Sequence, residues 1–242
     1  YLGFNANMLA NEMFLDSSQL RSSVVSHAKT LGYTTRSARA AKAVINVYLN
    51  TTNTSATMPA GTVFTASIDE ESYQFVNIQS AVAYNNGSTI PFNNLSVYEG
   101  SFVSTRYTTD TQNVEQRFLI NDNRADTTTL TVKVQNSSSD STSTTYTLAT
   151  DIAALTSTSN VYFLQEVEEG KFEIYFGDGI LGNAVEDENI IILNYVVTNK
   201  GVANGASTFV NSAAIDTVSS VNVSTVSSSA GGSEPETIQS IK

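Results

Sequence analysis

Apolar positions along this chain follow two rhythms. Near the N terminus Leu9, Met13, Leu20, Val24, Ala28 and Leu31 recur at spacings of three, four and seven, which lays one stripe along a helix. From Val44 onward the spacing drops to two. Phe172, Ile174 and Phe176 alternate with Glu173 and Tyr175, the period of a strand with one buried face. Ile190 to Val197 is an almost unbroken β-branched run, as in a strand covered on both faces. Gly177, Asp178 and Gly179 lie between these two segments, and Gly182 follows. Glycine supplies the positive φ of a tight reversal, so the pattern predicts two strands joined by a loop that carries Asp178, Glu186, Asp187 and Glu188.

The stripe predicts helix over residues 5–31, with a break near Asp16. Asp16 is a good N-cap with Gln19 three positions on, so a longer helix is expected over 17–31. Gly32 then serves as the C′ glycine, and Tyr33 folds back on Ala28. Residues 33–43 form a basic connector. Beyond it, strands are expected at 44–49, 62–67, 73–79, 95–107, 114–120, 128–134 and 161–167. Asn85-Asn86-Gly87 is a hairpin signal, and Gly100 interrupts its strand as a bulge would. Residues 137–145 read as an exposed low-complexity loop, and 151–155 as one helical turn. The tail opens a further helical segment, with Ser233 as N-cap and Pro235 in its first turn.

Short strands with turns every 8–12 residues predict a mainly β fold with an N-terminal helical segment, an α+β chain of sandwich-like or barrel-like domains. The expected division is a helical segment over 1–32, a first β domain from 33–94 plus 188–230, a second β domain inserted at 95–187, and a further helical segment from 231–242. The chain starts without Met and stops inside a new segment, so it is expected to be part of a larger protein.

Composition narrows the function. Of 242 residues, 40% are hydrophobic and only 14% charged, so Ser, Thr and Asn must supply most of the polar surface. The net charge of −11 argues against nucleic acid or an anionic membrane as partner. There is no cysteine, hence no disulfide framework or thiolate metal site. No apolar run approaches the ~20 residues of a membrane span. The one histidine, His27, sits a step off the helix stripe with no acid near it in sequence, and no nucleophile elbow or phosphate loop is present. The acids of 166–188 match no calcium-loop spacing. No catalytic, cofactor or metal residue is therefore assigned. Gly177, Asp178, Gly179 and Gly182 are read as a structural turn.

Two features point to assembly. A helical stripe this short needs something else to cover it, and Leu9, Met13, Leu20, Val24, Ala28 and Leu31 are expected to face another subunit. Arg21, Lys29, Arg36, Arg39 and Lys42 lie in a stretch free of acids, whereas 166–188 is rich in them. Arg36 and Arg39 are thus expected to meet an acidic face of a neighbour.

Four stretches carry a resemblance. SHAKTLGYTTRSARAAKA (26–43), FGDGILGNAVEDENIIILNYVVTNKGVANG (176–205) and AGGSEPETIQSIK (230–242) resemble the baseplate J-like proteins. VYEGSFVSTRYTTDTQNVEQRFLINDNRADTTTLTVKV (97–134) resembles, more narrowly, the baseplate wedge subunits of T-even-like contractile-tailed phages. The resemblance implies a structural virion protein of the tail baseplate, assembled in the host cytoplasm. It implies a ring around a central hub, contacts with its own copies and with other wedge and hub proteins through a helical bundle, and rearrangement when the sheath contracts. It brings no cofactor and no catalytic residue. A receptor-binding or adhesin module is the alternative, because polar β domains with long Ser/Thr loops also build host-binding tips.

Overall fold

Nearly all regular structure in the computed structural model, which describes residues 10–113, 115–211 and 213–242, is β. Strands follow one another along the chain as β1 (Lys42–Leu49), β2 (Ser55–Met58), β3 (Val63–Ile68), β4 (Glu71–Val76), β5 (Ala81–Tyr84), β6 (Ile90–Glu99), β7 (Ser101–Thr108), β8 (Phe118–Ile120), β9 (Ala125–Gln135), β10 (Ser143–Leu148), β11 (Val161–Glu166), β12 (Phe172–Phe176), β13 (Ile190–Val197), β14 (Phe209–Val210) and β15 (Val221–Ala230). Helices α1 (Arg21–Thr30) and α2 (Ile238–Ile241) flank them. Among the described residues no helix is long and apolar enough to cross a membrane.

The first sheet runs β14-β3-β4-β6-β1-β15. Strand β1 lies between β6 and the edge strand β15, antiparallel to both. Its alternation places Ala43, Ile45, Val47 and Leu49 on one fully buried face, against Phe64, Phe75, Ile90 and Phe92. Phe75 meets Phe209 edge to face, ring centroids 5.0 Å apart. The two outer edges approach each other. Gly205 donates its backbone N–H to the Ser229 carbonyl (2.7 Å), and Ser229 donates to Ala206 (2.9 Å), so the sheet curls towards a barrel.

The second sheet runs β7-β13-β9-β10-β11-β12-β8 and is antiparallel except for the β10–β11 pair. Here too the ends converge: the Tyr107 hydroxyl on β7 donates to the Leu119 carbonyl on β8 at 2.6 Å. The interior holds Phe118, Ile120, Val132, Phe172, Ile174, Ile191 and Leu193, with Phe176 set edge-on against both Phe118 and Tyr146.

Several expected pairings come out differently. Strands β12 and β13 do not pair. Strand β12 lies between β11 and β8, whereas β13 lies between β7 and β9. Their apolar patterns are alike, and only the ladder partners, distant in sequence, decide where each one goes. The Asn85-Asn86-Gly87 turn forms, with Asn86 donating its N–H to Thr89 and Gly87 at φ 99°, yet it joins strands of different ladders. Strand β5 pairs with β2 in a small separate sheet. Part of the expected loop at 137–145 is ordered as the start of β10.

The chain passes between the two sheets at Gly100 and at Thr198, not at 94 and 188. All of β6 belongs to the first sheet and all of β13 to the second. Gly100 is no bulge but the crossing itself, at φ 122°. A Cβ there would sit 2.2 Å from the Val197 carbonyl oxygen, so both the dihedral and the close approach require glycine. Gly100→Ala should destabilise the chain by roughly 3 kcal/mol or more, measured by urea unfolding. Wild-type stability in that variant would show that the crossing can relax.

Candidate functional site

The helical segment leaves several large apolar side chains bare close together in sequence. Helix α1 starts at Arg21, four residues later than an Asp16 cap would place it. Asp16 does not cap. The Glu12 carboxylate accepts the backbone N–H groups of Gln19 (2.9 Å) and Leu20 (3.3 Å), which fixes the chain just ahead of the helix. The Ser23 hydroxyl and those amides hold the Glu12 carboxyl below its ordinary value. The C-terminal end forms as the sequence suggests. Gly32, at φ 76°, donates to the Lys29 carbonyl, and Tyr33 donates to Ala28, both at 2.9 Å. His27 is structural: its Nε2 hydrogen-bonds the Glu12 carbonyl at 2.9 Å.

The stripe divides into covered and uncovered positions. Val24 and Ala28 are buried by their own chain, in a small cluster with Val25 and Ile241 against which Leu15 and Ile238 pack. Met13, Leu20 and Leu31 remain 68%, 48% and 75% exposed, and Phe14 beside them 68%. Leu9 lies outside the described residues. The C-terminal cover is the further helical segment expected after 231. It starts at Ile238 with Thr237 as its cap, not at Ser233, because Ser233 is engaged in paired backbone hydrogen bonds with Arg39.

Beneath the helix pair lies a set of buried carboxylates. Arg21 presents its fork to Glu166 on β11, Nε to Oε1 at 2.6 Å and Nη2 to Oε2 at 2.9 Å, and its Nη1 donates to the Glu236 carbonyl at 2.5 Å. The Glu166 side chain is 1% exposed and also accepts from the Thr35 hydroxyl. Glu236 accepts from the Tyr33 hydroxyl (2.9 Å), the Arg36 backbone N–H (3.1 Å) and the Ser240 hydroxyl (3.0 Å). Burial alone would push the Glu236 carboxyl upward. Those hydrogen bonds and the Arg36 charge outweigh it and hold the group below its ordinary value. Asp126 on β9 accepts from the Ala40 N–H at 2.9 Å and from Thr128. Glu99 accepts from the Thr198 hydroxyl (2.6 Å) and from the Asn199 backbone and side chain (both 2.9 Å).

The basic stretch from Arg21 to Lys42 therefore meets acids of its own chain first. Arg21 pairs with Glu166, and the exposed Arg36 guanidinium lies 3.7 Å from Glu236. Arg39 is exposed and shows no ion pair among the described residues. The sequence reading missed the roles of Glu166 and Glu236. A signal existed for the first: Tyr162, Leu164 and Glu166 share the inward phase of β11, so an acid stands at a core position.

The turn at 177–182 is local architecture. Asp178 accepts the N–H groups of Ile180 (2.9 Å) and Leu181 (3.0 Å), which hold its carboxyl below the usual range. Gly179 and Gly182 sit at φ 85° and 90°. Gly177 has no positive φ, but a Cβ there would lie 2.4 Å from the Leu181 carbonyl oxygen. Close by, the outer face of the second sheet carries a shelf. Phe163 stacks on Tyr175 with centroids 5.0 Å apart, and the Arg117 guanidinium lies 4.1 Å from the Tyr175 centroid. Ile152 and Leu181 complete a groove of about 350 Å³.

Comparison with known proteins points to one class, the wedge proteins of phage baseplates. Residues 104–211 match the family model for the third domain of the bacteriophage baseplate wedge protein gp6, a stretch that takes in nearly the whole second sheet. Among curated proteins, the chain is 26% identical over 272 aligned positions to the baseplate wedge protein gp6 of Enterobacteria phage T4. That alignment takes in all of this chain and 40% of the T4 protein, so the chain spans less than half the length of this relative. Both findings support kinship with the wedge proteins, the narrower of the two resemblances drawn from the sequence.

Two outcomes follow from the geometry. Gly177→Ala should cost more stability than Gly179→Ala, because the first meets backbone and the second only an unfavourable dihedral of ~1–2 kcal/mol. Equal unfolding midpoints would contradict this. For Glu236, a depressed folded value means stabilisation that is complete above the ordinary carboxylate value of 4.5 and is lost as pH falls through the folded value. Protection of the 236–242 amides should therefore fall on the acid side of pH 4.5, and Glu236→Gln should remove that pH dependence.

Proposed function

We propose that this chain is part of a structural subunit of a contractile-tail baseplate wedge, located in the virion, with no catalytic role. In this reading it contributes to the ring around the central hub, assembled in the host cytoplasm, and passes rearrangement of that ring on to sheath contraction. Its partners are copies of itself and other wedge and hub proteins. The observation that carries the reading is the helix pair. Its own core holds four buried side chains, while Met13, Phe14, Leu20 and Leu31 stay in water. Exposed aliphatic and aromatic side chains of this size, each worth ~1.5–3 kcal/mol when buried, mark a surface made for another chain. The similarity to wedge proteins supports a baseplate as that assembly.

A second reading rests on the aromatic shelf of Phe163, Tyr175 and Arg117, which would suit a receptor-binding module. The shelf is shallow and open, and it lies at the opposite end of β11 and β12 from the helix pair.

Leu20→Asp and Leu31→Asp should block assembly with wedge partners while both sheets stay folded, as followed by light scattering and circular dichroism. Val24→Asp should instead disrupt the helix pair within the chain. Reversing Arg36 and Arg39 to Glu should slow association, and salt should slow the wild type, since exposed charges are screened beyond ~8 Å at physiological ionic strength. Unchanged assembly in Leu20→Asp and Leu31→Asp would refute the helical interface.

A further inference from the structure

The apolar cluster of the helix pair contains no residue of either sheet. Val24, Val25, Ala28 and Ile241, with Leu15 and Ile238, form a core of their own. The pair is also tied internally, as Lys242 Nζ donates to the Asp16 carbonyl at 3.0 Å. What fastens this unit to the second sheet is polar. Arg21 carries the fastening: one guanidinium forks onto Glu166 of β11 and reaches the Glu236 carbonyl on the approach to α2. The Thr35 hydroxyl adds a second donor to Glu166.

We propose that Arg21 is a latch, and that the helix pair has two states: docked, as seen here, and released, swung away from the second sheet as one body. Three observations support this. Release uncovers charged and hydroxyl groups that water can solvate, and little of the apolar core of either sheet. The Arg21 side chain is already 27% exposed, so water has access to the fork. Gly32 joins α1 to the connector at φ 76° with no atom within 4 Å of where a Cβ would stand, which leaves the joint room to move. Below that joint, the connector is pinned to the second sheet by Asp126 of β9 holding the Ala40 N–H, so the helix pair can move while the connector stays in place. The latch is a property of this chain alone and stands or falls separately from the wedge reading.

The test is hydrogen–deuterium exchange on the 242-residue chain. Glu166→Gln should raise exchange of the 21–31 and 238–242 amides at least tenfold, with no change in β1 and β13. Arg21→Lys keeps the charge and loses the fork, and it should do the same if Glu166→Gln folds poorly. Arg21→Gln combined with Glu166→Gln should fall short of the product of the two single effects, because both remove the same fork. Three results would overturn the proposal: unchanged protection over 21–31, loss of protection in the sheets to the same extent, or additive effects in the double variant.

Discussion

Four carboxylates removed from water constrain how this chain can run. A buried carboxylate is tolerated only when donors fill its lone pairs, and removing a donor strands a charge. Here the donors come from far along the sequence. Glu99 is served by Thr198 and Asn199, Asp126 by Ala40 as well as its neighbour Thr128, Glu166 by Arg21 and Thr35, and Glu236 by Tyr33 and Arg36. Residues 33–41 have almost no regular structure, yet Thr35, Ser37, Ala38 and Ala41 are buried. The acids on either side make an irregular segment as well placed as a strand.

This arrangement separates two kinds of stability. Each sheet keeps a large aromatic and aliphatic interior to which no residue of the helix pair contributes. The helix pair has a minimal interior and depends on polar docking below and on exposed apolar side chains above. A subunit of a large assembly built this way keeps its body folded before assembly, while its contact module gains most from a partner.

The β character was legible because period-two alternation is enforced residue by residue: Ala43, Ile45, Val47 and Leu49 announce a buried face without any knowledge of partners. The glycine C-cap of α1 was legible for the same reason, since it needs only Lys29 to Tyr33. Ladder partners were not. Phe172–Phe176 and Ile190–Val197 look like neighbours in sequence, but hydrogen bonds to β8, β11, β7 and β9 place them apart. Nor was the destination of the charges legible. Arg21 and Glu166 are 145 positions apart; the phase of β11 turns Glu166 inward, but nothing local names Arg21 as its partner. How much of the stripe the chain covers itself was not legible, for a related reason. Periodicity identifies an apolar face, but it does not reveal that Ile241 of the same chain covers part of it.

The two crossings between the sheets run side by side. Gly100 packs directly on the Val197 carbonyl, and Glu99 reaches Thr198 at 2.6 Å. The second sheet thus leaves and re-enters the first through adjacent doorways, so its whole length of chain closes on itself like a loop. An insertion with touching ends can change length at its far loops without altering where the host chain resumes. Lineages sharing this body could then diversify the inserted barrel at a different pace from the sheet that carries it.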